Sequence, residues 1–240
     1  MYTNLESALS LAKLGFGVII TYQSKEEEAK ATVAQIEALG QKAAALQLDA
    51  GHIAGFGDFF DRVKQTLTAT FGTDYFDFLI NNAGAGLAAS FAETTEEQFD
   101  LVLNVQFKGV FFLTQHALPL LNDGGAIVNI SSGLTRSVYP QRAAYASMKG
   151  AMEVLTKHQA QELGARNITV NVVAPGATAT DFSGGVVRDN PQVAAHIAEA
   201  TALGRTGLPT DIGPVVAFLC TDGAHWITAQ RIEVSGGQHL

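Results

Sequence analysis

The chain has 240 residues, 47% apolar and 16% charged, which excludes a disordered polypeptide and suits one sizeable α/β domain. Its net charge of −8 would repel a phosphate backbone on average, so no nucleic-acid partner is expected. Mean hydropathy is +0.16, yet no apolar run nears the roughly 18 residues of a membrane span, and a lone cysteine, Cys220, suits a reducing, cytoplasmic location.

In chain order, Asn4 is placed to cap a helix from Leu5 to Leu14, with Gly15 behind it. Gly17 to Tyr22 reads as a strand. Ser24 and Glu27 form a capping box for a helix that stops at Gly40. Ala43 to Leu48 is the next strand, ending at Asp49, and a helix from about Ile53 to Phe71 stops at Gly72. Asp77 to Asn81 is a strand. Thr94 and Glu97 make a second capping box, opening a long helix to about Leu121. Ala126 to Ile130 is a strand, Pro140 to Leu163 a helix, and Ile168 to Val173 a strand. Pro191 to Ala202 and Asp211 to Cys220 are helical, and Arg231 to Val234 is a last strand. Strands separated by helices imply right-handed crossovers, hence an α/β, doubly wound parallel sheet in a single domain spanning 1–240. The Gly-rich stretch 177–207 reads as a substrate lid.

The chemistry concentrates on Ser132, Tyr145 and Lys149. Tyr145 and Lys149 are i and i+4, so they share one helix face, and Ser132 follows a strand's carboxyl end, where such sheets place ligands. An ammonium about 4 Å from a phenolate gains roughly 4 kcal/mol at an effective dielectric near 20, enough to draw a tyrosine pKa from about 10 toward 7. Tyr145 would then exchange a proton with a carbonyl or alcohol near neutrality, while Ser132 holds the same oxygen. Taken alone, Tyr-x-x-x-Lys is a weak signal.

It is joined by Asn81-Asn82-Ala83-Gly84, Asn104-Val105-Gln106-Phe107-Lys108-Gly109, Ile130-Ser131-Ser132, Tyr145-Ala146-Ser147-Met148-Lys149 and Asn171-Val172-Val173-Ala174-Pro175-Gly176, in that order. With these motifs the chain resembles the short-chain dehydrogenase/reductase family over essentially its whole length, in the single-domain, Rossmann-like branch. The resemblance implies hydride transfer between a nicotinamide cofactor and a carbonyl or alcohol. It gives Ser132 the role of polarising the carbonyl and Tyr145 that of general acid/base. It implies that Lys149 lowers the tyrosine pKa and binds the nicotinamide ribose, and that Asn104 supports a proton relay through water. Asn82, Ala83 and Gly84 would line the cofactor, and Asp49 and Ala50 would meet the adenine. Pro175, Gly176, Thr178 and Thr180 match the segment that holds the carboxamide. Tyr22-Gln23-Ser24 stands where NAD specificity needs an acid, so Tyr22 and Ser24 would border the ribose and NADP(H) is expected before NAD(H).

The family's first strand and glycine-rich loop have no counterpart here. The pattern aligns so that the sequence begins near the loop's last glycine, N-terminally truncated relative to the family. Three explanations stand side by side: residues precede Met1 in the working polypeptide, the start codon is placed too late, or the chain is short and repacks. Gly84-Ala85-Gly86-Leu87-Ala88-Ala89 imitates a dinucleotide fingerprint but lacks the following helix N-terminus.

In style the chain is similar to 3-oxoacyl-carrier-protein reductases, but the turn Leu121-Asn122-Asp123-Gly124-Gly125 carries no base, and the net charge of −8 argues against an acidic carrier protein. Arg166 stays open as a basic contact, as does Arg136 for an anionic substrate group. Phe182, Val186 and Val187 in the lid suit a moderately apolar carbonyl substrate. The six histidines show no metal spacing, so no metal is expected. The family's helix pairing implies a homotetramer, or else a dimer. Two alternatives remain: a non-catalytic dinucleotide-fold protein that has lost its loop, and an epimerase, for which the chain is short.

Overall fold

The computed structural model describes residues 2–240, with side chains from residue 5 onward. Among the described residues six strands alternate with helices as expected, and every ladder between these strands is parallel. Strands β1 (Val18–Tyr22) and β2 (Ala43–Gln47) form one sheet, while β3 (Phe76–Asn81), β4 (Leu121–Ile130), β5 (Thr169–Pro175) and β6 (Arg231–Val234) form another, in that order. Among the described residues no ladder joins β1 to β3. This is where the sequence pattern left out a strand.

Side-chain packing joins the two sheets instead. Helix α1 (Tyr2–Lys13) lies against α9 (Pro209–Phe218). The approach is so close that a Cβ on Gly213 would sit 2.6 Å from the Glu6 carbonyl. After α1 the chain turns at Gly15 (φ +95°) and brings Phe16 edge-on to Phe78 of β3, with ring centroids 5.0 Å apart. Phe16, Val18, Phe78 and Ile80 all border one core, built around Leu11, Val128, Ile130, Val173, Ile212 and Val216.

Helix α2 (Glu26–Ala38) covers the first sheet and buries Ala29, Thr32 and Ile36, spaced to share one face. Helix α3 (Phe56–Thr66) buries Phe56, Phe59, Phe60 and Val63 in the same way. A π-turn over Leu67–Phe71 extends it to Gly72, whose φ of +75° ends the helix.

Several boundaries depart from the sequence reading. The Ser24–Glu27 box is not made: α2 begins at Glu26, and Glu27 pairs with Lys30 at 3.0 Å. The second box forms one residue later than expected. The Thr94 hydroxyl donates to the Ser90 carbonyl, so Thr95 takes the cap and exchanges bonds with Gln98 at 3.1 and 3.3 Å. Position 4 lies inside α1 rather than at its cap, and the Asn4 side chain is outside the described residues. The long helix expected after Thr94 is α4 (Glu96–Leu103), a π-turn over Asn104–Lys108 and α5 (Gly109–Ala117). Helix α6 (Ala143–Leu163) starts later than Pro140 because Gln141 adopts a left-handed φ of 65°, which no helix continues through. The predicted lid holds a turn over Phe182–Gly185 and helices α7 (Val186–Asp189) and α8 (Pro191–Glu199).

Candidate active site

The carboxyl ends of the parallel strands gather the predicted residues along one edge. Tyr22 ends β1 and Ser24 follows it, Asp49 and Ala50 follow β2, and Asn82 to Gly84 follow β3. Ser132 follows β4, and Gly176 to Thr180 follow β5. Two close backbone approaches tie these loops together. A Cβ on Gly109 would lie 2.1 Å from the Ala50 carbonyl, so glycine lets α5 seat the β2 loop. Gly176 leaves room for Ser235 and Gln238, and the Ala177 N–H donates to Gln238 Oε1 at 2.9 Å.

Ser132 is extended (φ −158°, ψ 148°), and its hydroxyl oxygen accepts from the Leu134 N–H at 3.2 Å. The first turn of α6 sets Tyr145 near enough to that hydroxyl for Ser132 to pull its pKa downward. One turn on, Lys149 donates from Nζ to the Ile130 carbonyl at 2.6 Å. Tyr145 is 7% exposed and Lys149 4%. The three groups expected from the sequence therefore meet at the end of β4.

Their charge states differ from the expectation of a phenolate poised near neutrality. The Lys149 ammonium is 5.8 Å from the Tyr145 ring centroid and aims at a backbone carbonyl. Burial dominates both groups, disfavouring each charged form. It pushes the phenol up to about 12, against the opposing pulls of the Ser132 bond and the Arg142 charge. It draws the ammonium down to about 7. Tyr145 is thus a protonated phenol at neutral pH.

Part of the burial comes from the 177–207 segment. The Phe182 ring packs on Tyr145 with centroids 5.8 Å apart. Gly86 permits this, since a Cβ there would lie 2.6 Å from Ser183 Oγ and 3.3 Å from Phe182. The fingerprint-like Gly84-Ala85-Gly86 thus packs against Ser183 and Phe182 rather than opening a helix. Beside it, a cavity of about 490 Å3 is lined by Phe91, Leu134, Val138, Tyr139 and Pro140 among others.

Asn104 opens the π-turn between α4 and α5, a distortion that recurs at functional sites. Two turn residues later comes Gln106, which the sequence reading passed over. It is fully buried, packs on Gly84 and donates to the Ala85 carbonyl at 2.7 Å. Among the described residues, Gln106 Oε1 and Asn81 Oδ1 are buried acceptors without a donor. Asn81 otherwise spans the sheet core, donating to Thr114 and to Asn129 at 3.1 and 2.8 Å. Asn171 holds the approach to β6 by bonding Ile227 and Gln230.

On the β1–β2 side, Asp49 Oδ1 accepts from the Gly51 N–H at 2.9 Å, closing its own turn. Glu26, the first acid after β1, pairs with Lys30 at 3.0 Å, and Lys25 pairs with Glu28 at 2.9 Å. Arg166 is held by Asp123 and by the Leu118 and Leu121 carbonyls, and Arg136 by Glu233. Arg166 is thus engaged internally, whereas the Arg136 side chain stays 54% exposed. Among the described residues no His, Cys, Asp or Glu cluster could hold a metal, and no helix is long and apolar enough to cross a membrane.

A dinucleotide needs hydrogen-bond donors for its ribose, acceptors for its carboxamide and close backbone for its phosphates. Lys149 has ammonium protons beyond the one given to Ile130, and the unpaired Gln106 and Asn81 oxygens lie at the β3 end. These features suit the nicotinamide half. No glycine-rich strand-to-helix turn for the phosphates occurs among the described residues.

Comparison with known proteins defines the class as oxidoreductases built on this fold. A family model described as enoyl-(acyl carrier protein) reductase matches residues 5–239. An uncharacterized oxidoreductase of Methylorubrum extorquens is 38% identical over 230 residues, covering 96% of this chain and 90% of the relative. The promiscuous reductase LugOII, which catalyses keto-reduction at C1 during lugdunomycin biosynthesis, has a solved structure with a TM-score of 0.93 at 40% identity, covering 99% and 94% of the two chains. The landomycin C-6 ketoreductase LanV, solved with NADP and rabelomycin, gives a TM-score of 0.88 at 34% identity, covering 98% and 90%. The chain belongs to the short-chain dehydrogenase/reductase family.

Proposed function

We propose that the chain is an NADPH-dependent carbonyl reductase acting on a flat, largely apolar ketone. The observation that carries this is the buried arrangement of Ser132, a protonated Tyr145 and Lys149 beneath the Phe182 ring. Bound NADPH would supply the hydride. Ser132 holds the carbonyl oxygen of the substrate and polarises it. Tyr145 donates its phenolic proton to that oxygen as negative charge develops there. With its pKa held up at about 12 the phenol carries its proton at neutral pH, so the proton that reduction requires is already in place.

Lys149 and the segment from Pro175 to Thr180 would hold the nicotinamide ribose and carboxamide, with Asn82, Ala83 and Gly84 beside them and Asn104 behind. Tyr22, Ser24, Asp49 and Ala50 would border the adenosine half. Glu26, the first acid after β1, is taken by Lys30, and this supports NADP(H) over NAD(H). LanV, a relative solved with NADP, supports it too. Phe182 over Tyr145, together with the cavity at Phe91 and Tyr139, supports the aromatic side of the substrate class. With Arg166 engaged internally, an acidic carrier protein has little to grip.

The domain is read as one unit with 177–207 as its lid. Exposed Phe99, Leu101, Phe111 and Val154 on α4, α5 and α6 support helix pairing into a homotetramer. The buried lone thiol of Cys220 suits a reducing cytoplasm.

The test is NADPH oxidation with 2-tetralone as the probe ketone, alongside NADPH and NADH titrations. Turnover that collapses in Tyr145→Phe supports the reductase. NADPH binding without turnover on any ketone favours the non-catalytic alternative.

A further inference from the structure

We infer that Arg231 and Glu153 form a clamp that positions the catalytic serine from behind. The inference rests on Ser132 acting as the carbonyl-polarising group. Glu153 lies four residues beyond Lys149, on the Tyr145–Lys149 face of α6. Arg231 opens β6, the far strand of the sheet. They meet directly behind the Ser132 turn, with side chains 24% and 17% exposed for Arg231 and Glu153.

The bonds converge on one backbone segment. Glu153 Oε1 accepts from the Ser131 hydroxyl at 2.6 Å, the Thr135 hydroxyl at 2.8 Å and Arg231 Nε at 2.8 Å. The Arg231 guanidinium also donates from Nη2 to the Ser132 carbonyl at 3.3 Å and to Thr135 Oγ1 at 3.1 Å. Its Nη1 donates to Glu233 Oε2 at 2.7 Å, and Glu233 Oε1 lies 3.6 Å from where a Cβ on Gly133 would stand. Thr135 Oγ1 lies 3.0 Å from the Ser132 carbonyl as well, so its single proton is shared between that oxygen and Glu153.

Ser131, Ser132 and Thr135 are therefore each held by a hydrogen bond to this network. Ser132 itself spends its hydroxyl oxygen on the Leu134 N–H, within the same turn. The direction of its remaining hydroxyl proton, toward Tyr145 or a substrate oxygen, depends on where that turn is held. A planar guanidinium with its donors in a fixed fork can reach Glu153, Glu233 and the Ser132 carbonyl at once, whereas a lysine ammonium is a point charge that cannot. Arg231 and Glu153 touch no reacting atom. They act through Ser132.

The experiment measures kcat and KM for NADPH and 2-tetralone in Arg231→Lys, Glu153→Gln and Thr135→Val, with melting temperature and NADPH affinity as fold controls. Loss of one well-placed hydrogen bond at the turn predicts a kcat about 10-fold lower in Arg231→Lys and Glu153→Gln, and a smaller loss in Thr135→Val. KM for NADPH should stay within about twofold, since a local hydrogen bond behind the turn leaves the cofactor contacts in place. In a Ser132→Ala background the same substitutions should cost nothing further, because their target is gone. Losses that multiply with Ser132→Ala, or full kcat in both Arg231→Lys and Glu153→Gln, would overturn the clamp. If Arg231→Lys does not fold, Glu153→Gln and Thr135→Val carry the same comparison. Tyr145→Phe separates the two levels. If it retains wild-type turnover, the site reading itself fails. If it is inactive while the clamp variants are unimpaired, only the clamp fails.

Discussion

The two sheets of this molecule are built to different standards. In the sheet of β3 to β6, the central strands are sealed: β5 is buried from Thr169 to Ala174, and β4 from Gly125 to Ile130. In the sheet of β1 and β2 only Ala43 is fully buried, although both strands are as apolar in sequence. The difference lies in neighbours rather than composition. β4 and β5 each have a strand on both sides, whereas β1 has β2 alone and meets β3 only through side chains. Ser132 follows β4 of the sealed sheet and Tyr145 and Lys149 reach it from α6, whereas Tyr22, Ser24, Asp49 and Ala50, proposed for the adenosine half, border the half-open sheet. The proposed chemistry and the joint between the sheets thus draw on separate supports.

The largest test of that separation is Tyr145→Phe. It should lower kcat for 2-tetralone by 10²–10⁴-fold, about the contribution of one general acid. It should leave the melting temperature nearly unchanged, because the phenol hydroxyl is the only group removed. A large loss of stability would mean that the site and the core are not separable.

The second strikes the joint between the sheets. Gly213→Val would press a branched side chain into the Glu6 backbone, which already lies 2.6 Å from a bare Cβ position. Overpacking of this kind costs about 1–3 kcal/mol, read as a lower denaturant midpoint. The same midpoint in wild type and variant would mean that α1 does not anchor the sheets.

Phe16→Ala and Phe78→Ala probe the same joint more gently. Each ring is only partly buried, so each loss should fall below the roughly 3–5 kcal/mol of a fully buried phenylalanine. Their edge-to-face contact predicts a coupling of about 0.5–1.5 kcal/mol in a double-mutant cycle. Additive losses would remove the contact from the account.

The last test is a pH dependence on the sealed side. Burial lowers Lys149 from 10.5 to about 7 in the folded chain. Below pH 7 both folded and unfolded chains carry the ammonium, so the cost of burying the charge is borne in full. Between about 7 and 10.5 only the unfolded chain stays protonated, so stability rises with pH. A Lys149→Met variant lacks this slope. Its stability relative to wild type should decline as pH increases from 7 to 10, measured by chemical denaturation. A constant difference would mean that Lys149 stays charged throughout.

The meeting of Ser132, Tyr145 and Lys149 was legible because its logic is local. Tyr145 and Lys149 share a face through helical spacing, and Ser132 needed only a strand end. The Glu153–Arg231 pair was half legible: Glu153 repeats the spacing of four from Lys149, but Arg231 lies 78 residues further on, and only the sheet order brings it there. The shift of the cap from Thr94 to Thr95 was not legible, since both are good caps and a single bond to Ser90 decided between them. Gln106 escaped notice because a lone glutamine carries no spacing signal.

By itself the sequence determined the alternation of strands and helices, the parallel sheet, and the residues that meet at the end of β4. Periodicity, turn residues and motif order act over a few positions and survive any arrangement of the rest. Tertiary structure alone decided which strands find partners, that the phenol of Tyr145 stays protonated, and that Lys149 addresses a backbone carbonyl. Those outcomes depend on burial and on groups far apart in the chain, and the free energy of a charge is set by what surrounds it in space.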